Sequence, residues 1–242
     1  MKPRTDRIII TCEHGGNRIP RSLVAAFRPL RSILATHRAW DPGALDLARQ
    51  FARTLHAPVF VSTVSRLVVD LNRSEHHPRV FSTVTRALPA KRRDEILDTR
   101  YRPFRADVLA AVAHAIGRGK KVVHISVHSF TPVLAGVRRS ADIGLLYDPS
   151  RRCERDLAAA WRRAILRLDP SLRVRMNYPY RGTADGHTTS LRGRFPARWY
   201  IGIELEINQA IVRAGGRRWA SARSVLIEAL AQTARRTPSK SP

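Results

Sequence analysis

Acidic residues are scarce in this chain: 19 Asp plus Glu stand against 44 Lys plus Arg, a formal net charge of +25. Cysteine is scarcer, with two in 242 residues. Two cysteines build no disulfide framework, so a reducing, cytoplasmic setting is the expectation. Long apolar runs are missing. None approaches the ~18 residues that a membrane span needs, and no membrane partner is expected. The basic start, Met1-Lys2-Pro3-Arg4, leads into a brief apolar stretch that ends at Glu13 and His14. That reads as a strand, not a signal peptide. The chain also lacks a glycine loop closed by Lys-Ser or Lys-Thr, a CxxC pair and a helix with His-Glu-x-x-His. Kinase, zinc-finger and helical metalloprotease readings therefore have no support.

The excess charge is nearly all arginine, and it is spread along the whole chain. One reading is a solvated surface with nonspecific polyanion affinity as a side effect. The competing reading is a basic nucleic-acid-binding protein on a degenerate hydrolase scaffold. The hydrophobic fraction of 43% is ordinary and allows a real core. No repeat or long linker divides the chain. The expectation is one domain over residues 1–236 and a disordered tail over 237–242.

Apolar strand-like runs alternate with helical periodicity. Arg7 to Cys12, Val59 to Ser62, Leu67 to Leu71, Lys121 to Val127, Ile143 to Tyr147 and Tyr200 to Ile207 read as strands or β-rich segments. Pro42 to Leu55 reads as a helix with Asp41 at its N-cap and Pro42 in its first turn. Asp94 to Ile116 reads as a helical region broken near Pro103 and ended by Gly117 and Gly119. Glu154 to Leu168 and Arg217 to Arg235 read as helices. This alternation predicts an α/β fold, a mainly parallel or mixed sheet with helices on both faces.

What is present is metal-hydrolase chemistry beside the apolar runs. His14 follows the first strand and precedes Gly15-Gly16. His128 closes the strongly apolar run Val122-Val123-His124-Ile125-Ser126-Val127. An imidazole there sits at the carboxyl edge of a sheet, where open α/β sheets bind ligands. His124 lies about 13 Å back along the strand and is expected in the core or behind the ligands. Glu13 points away from His14 if the strand geometry persists. Asp41 is open to two readings, helix cap or the acid that completes a two-histidine zinc set.

Glu204 and Glu206 share one face of the last strand. One could act as general base, or both could sit in arginine salt bridges on an edge strand. Arg73, with Asn72 beside it, suits a bidentate grip on a carboxylate. The segment from Asn177 to Thr188 is too long and aromatic for a plain connection and is expected to cover the site.

Taken in order, these blocks resemble the N-formylglutamate amidohydrolase family. The resemblance is carried by Cys12-Glu13-His14 with Asn17-Arg18-Ile19-Pro20, Trp40-Asp41-x-Gly43, Ser65-Arg66-Leu67 with Asp70-x-Asn72-Arg73, and His128-Ser129-Phe130-Thr131-Pro132. It continues in Ile143-Gly144-x-Leu146-Tyr147-Asp148, Asn177-x-Pro179-Tyr180 and Gly202-Ile203-Glu204-Leu205-Glu206-Ile207. His187 departs from it, standing where relatives often carry an aromatic residue. The resemblance implies a zinc-carboxypeptidase-like fold and hydrolysis of a small anionic N-acyl amino acid, N-formyl substrates among them. It implies one zinc held by His14, Asp41 and His128, with Glu206 as the base. It also implies that Arg66 and Arg73 serve the substrate carboxylates. Asn72 and Tyr180 are expected in the same substrate site, and no specific nucleic-acid partner is expected.

Overall fold

A computed structural model describes residues 7–236 of the chain. The tail expected over 237–242 lies outside the described residues. Strand β1 (Arg7–Cys12) leads through two short 3-10 turns to α1 (Ala44–Leu55) and β2 (Val59–Val61). Helices α2 (Thr83–Arg86) and α3 (Ala90–Ile96) come next. A turn of π-helix at Leu97–Tyr101 joins α3 to α4 (Arg102–Gly117). Strand β3 (Val122–Phe130) is followed by the small hairpin of β4 (Val133–Leu134) and β5 (Val137–Arg138). Then come β6 (Ile143–Leu146), α5 (Arg152–Leu168), β7 (Val174–Met176), α6 (His187–Arg192), β8 (Tyr200–Asn208), α7 (Gln209–Ala214) and α8 (Gly216–Arg236).

The main sheet has six strands in the order β2-β1-β3-β8-β6-β7. Every neighbouring pair is parallel except β6 with β8, so the expected α/β sheet is present and is mixed. The long buried strands β3 and β8 occupy the middle. Side chains alternate between the faces of a strand, and here that alternation divides two environments. Ile10 and Cys12, then Val123, Ile125 and Val127, then Ile201, Ile203, Leu205 and Ile207 share one apolar core with α1, α5 and α8. On the opposite face Ile9, Val122 and Tyr200 pack with Val108, Val112 and Ala115 of α4 and Leu191 of α6. Further along that face the side chains become polar.

Three expectations change. The segment Leu67 to Leu71 forms turns, with Val68 N–H bonded to Ser65 C=O and Arg73 N–H to Asp70 C=O. Val68, Val69 and Leu71 are buried in a separate cluster with Leu23, Phe27 and Tyr101, so packing overrides their strand propensity. The break near Pro103 is the π-turn just before it. Pro103 itself sits in the first turn of α4, where its missing N–H costs nothing. Asp41 does not cap α1. Gly43 holds the N-cap position in the left-handed region at φ 83°, and no side chain caps the helix. A Cβ on Gly43 would also meet Val212 Cγ1 at 2.7 Å. Pro42 is thereby left outside the helix, and the Asp41 carboxylate is available to stronger, charged partners.

Candidate metal centre

The polar face is built by register. Thr11 lies opposite Ser126, Ser126 opposite Glu204, and His128 opposite Glu206. Paired residues on adjacent strands stand about 5 Å apart, so β3 and β8 alone bring an imidazole beside a carboxylate. His14 enters from the turn after β1, where its C=O accepts from Asp41 N–H at 2.9 Å. That backbone bond ties the two loops together. Asp41 Oδ2 lies 2.8 Å from His128 Nδ1 and 3.4 Å from His14 Nδ1. One ligand-type atom from each of His14, Asp41 and His128 lies within 4.8 Å of the other two, and all three residues are buried.

The remaining nitrogens of the two imidazoles are engaged from behind. His14 Nε2 is 2.7 Å from Asp70 Oδ1. His128 Nε2 is 2.9 Å from Ser126 Oγ and 3.5 Å from Glu13 Oε2. Metal-ligating histidines characteristically carry such outer partners, which fix ring orientation and tautomer. Asp70 and Glu13 were not assigned roles from sequence. Period-two alternation places Glu13 with Thr11, on the face that carries His128, and that parity was the available signal. Asp70 left none beyond its place in the Asp-x-Asn-Arg block.

Electrostatics follow from the packing. Burial alone would lower the pKa of His128, but the Asp41 hydrogen bond and charge, with Glu13, raise it to about 10. Burial opposes ionisation of Asp41, yet the charge of His14 and hydrogen bonds from His128 and His14 hold it well below the usual carboxylate range. Glu206 goes the other way. Burial, with Asp41 and Glu204 nearby, pushes it up to about 8 against the pull of His128 and Arg66. Its Oε2 is buried without a hydrogen-bond partner among the described residues. Glu204 differs: its Oε1 accepts from the Thr188 hydroxyl at 2.6 Å. Neither glutamate makes an ion pair among the described residues, and β8 is a central strand. The reading of salt bridges on an edge strand is therefore overturned.

The sequence matches the N-formylglutamate amidohydrolase family over residues 6–213. The chain belongs to that family. No match was found among curated proteins. A gene product of Agrobacterium tumefaciens has a similar structure, with a TM-score of 0.81 and 29% identity over 95% of this chain and 91% of that one. An N-formylglutamate amidohydrolase from Ralstonia eutropha shares the fold, with a TM-score of 0.73 and 20% identity over 97% and 94%. A metallo-carboxypeptidase from Burkholderia cenocepacia overlaps more loosely, at TM-score 0.40 and 14% identity over 96% and 57%. That likeness is too distant to bear on the site.

In this member of the N-formylglutamate amidohydrolase family the expected substrate-side residues lie in unequal settings. Arg66 reaches Asp41 Oδ1 at 3.2 Å and Asp70 Oδ2 at 3.1 Å, with 26% of its side chain exposed. Asn72 Oδ1 accepts from His187 N–H at 2.7 Å, and Arg73 donates to Asp185 C=O at 3.1 Å. Tyr180 is 46% exposed and hydrogen-bonded to Arg139 at 3.2 Å. The segment from Asn177 lies over the polar face. Tyr178 C=O sits where a Cβ on Gly144 would be, and Gly144 pairs with Glu206 across the sheet. The same segment delivers His187, whose Nδ1 is 2.8 Å from Glu13 Oε1. His124 stays in the core, between the hydroxyls of Thr11 at 2.8 Å and Tyr200 at 2.7 Å.

Proposed function

We propose that this chain is a zinc-dependent hydrolase of the amide bond in a small N-acyl amino acid bearing one or two carboxylates. The observation that carries the reading is the convergence of His14, Asp41 and His128. Two imidazole nitrogens and a carboxylate match the three protein ligands of a catalytic zinc, and their backing by Asp70, Ser126 and Glu13 fits that use. His14, Asp41 and His128 would hold the ion. When bound, it supplies Lewis acidity that polarises the acyl carbonyl and makes water a better nucleophile.

Glu206 supports this chemistry from the neighbouring strand. A buried carboxylate with an unpartnered oxygen and a raised pKa is suited to take a proton and return it to the leaving nitrogen. Arg66 orients Asp41 and Asp70 at once, which keeps the two imidazoles in place. We assign Arg73, with Arg66, Asn72 and Tyr180, to the substrate carboxylates. The rest of the basic surface is read as a solvated face without sequence-specific nucleic-acid binding. Cys12 and Cys153 are both free thiols, in keeping with a reducing compartment. No described helix is long and apolar enough to cross a membrane.

The test combines elemental analysis with a screen of N-acyl amino acids against matched neutral amides. The expected result is about one zinc per chain and faster turnover of the carboxylated compounds. Arg73→Ala should raise KM about tenfold with little change in kcat, because it removes ground-state binding. Equal turnover of neutral amides would sink the carboxylate assignment.

A further inference from the structure

A cavity of about 330 Å³ lies on the polar side of the sheet, between α4, α6 and the turn that follows Arg73. The proposed chemistry does not use it. Ser74, Tyr101, Arg105, His187, Ser190 and Arg194 are among its lining residues. Its charge is not balanced. Arg102 and Glu75 also line it, but they are paired with each other, and Arg102 is further engaged by Asp98. Arg105 lies over the Tyr101 ring at 5.5 Å and donates to Leu71 C=O at 3.0 Å. Neither Arg105 nor Arg194 has an acidic partner among the described residues.

His187 supplies an independent observation. It is 1% exposed, and Glu13 binds its Nδ1. Its Nε2, on the other side of the ring, is buried with no partner among the described residues. The Glu13 carboxylate accepts hydrogen bonds, so Nδ1 donates and Nε2 is left as an acceptor lacking a donor. Buried polar atoms are rarely left so, and an unfilled one beside a cavity indicates a group that comes from outside.

We propose that this cavity is a second ligand site, for a small carboxylate that also carries an O–H or N–H donor, such as a hydroxy or amino carboxylate. The carboxylate sits between the Arg105 and Arg194 guanidinium groups, and the donor bonds His187 Nε2. Ser74 and Ser190 offer hydroxyls to the same ligand. The site is separate from the metal centre and does not depend on the hydrolytic reading. It touches that centre through Glu13, which bonds His187 on one side and Ser126 on the other, and through Asn72, which accepts from His187 N–H and donates its own N–H to Asp70.

Calorimetric titration of the intact, metal-loaded protein with glycolate and with acetate tests the proposal, because the two differ by one hydroxyl. Glycolate should bind saturably and about tenfold more tightly than acetate. Arg105→Met and Arg194→Met should each weaken glycolate about tenfold. His187→Phe should remove the preference for glycolate, while His128→Ala leaves glycolate binding unchanged. Arg194 is exposed, so Arg194→Met remains informative if His187→Phe does not fold. Absence of saturable glycolate binding to the wild type would overturn the proposal. So would glycolate binding that disappears in His128→Ala and persists in both arginine variants, which would place it at the metal centre.

Discussion

Strands β1, β3 and β8 turn one face to α1, α5 and α8 and the other to α4, α6 and the segment from Asn177. The first face is aliphatic and fully buried, as Ile10, Ile125, Val127, Ile203 and Leu205 show. The second is almost as deeply buried, yet carries Thr11, Glu13, His124, Ser126, His128, Glu204 and Glu206. The backbone and its hydrogen bonds are common to both. The first face stabilises by removing apolar area from water. The second gives up that gain and must satisfy polar groups instead. It largely does: the hydroxyls and imidazoles interlock, and Glu206 Oε2 is the one fully buried side-chain atom of these strands with no hydrogen-bond partner among the described residues. Stability and the proposed chemistry therefore fall to alternate residues of the same strands.

The sharpest way to break this comparison is to truncate one residue on each face of β3. His128→Ala should reduce bound metal to background and abolish turnover while the fold persists. Ile125→Ala should instead destabilise by about 2–5 kcal/mol, with metal content and turnover of the folded fraction retained. Thermal unfolding and elemental analysis of both variants check this. Metal retention in His128→Ala would remove that residue from the centre.

A smaller effect separates the two glutamates within the polar face. Glu206→Gln keeps the shape and removes the proposed base, so turnover should fall on the order of 100-fold or more with metal retained. Glu204→Gln keeps a group that can accept from Thr188 and should cost only a few-fold. A near-normal rate for Glu206→Gln beside a dead Glu204→Gln would exchange the two roles.

The smallest effect is graded. Without an ion His128 keeps its proton up to about pH 10, because Asp41 stabilises the charged ring. An entering metal must displace that proton. Affinity should therefore fall as pH falls, by about tenfold per unit on the acid side of that pKa for one proton released. Chelator competition across near-neutral pH measures the slope, and a flat profile would contradict proton displacement from His128. On the apolar face burial holds the Cys12 thiol well above its usual pKa, so it stays protonated near neutral pH and Ile125→Ala should leave the slope unchanged.

Much of this was legible in the residues. The β1 run was read with its observed bounds, and the runs of β3 and β8 extend slightly beyond the expected ends, to Phe130 and Asn208. Their aliphatic residues mark central strands, with the alternation broken only by the polar positions of one face, because both faces are covered. The Leu67 to Leu71 segment was misread because β-branched residues bury equally well in turns, and local propensity does not know its neighbours. Asp41 was ambiguous for a related reason. Capping and metal binding both suit an acid before a helix, and the left-handed turn at Gly43 removes the first of them.

The sequence by itself determined the elements, their alternation and the residue types available for chemistry, because periodicity and local sterics act over a few positions. It also carried the family, through ordered blocks spread along the chain. Only the tertiary structure decided which of those residues meet. Asp70 behind His14, Glu13 between His128 and His187, and Thr188 on Glu204 join positions far apart in the chain. Those meetings depend on strand order and register, which set three-dimensional distance and leave no local periodic trace.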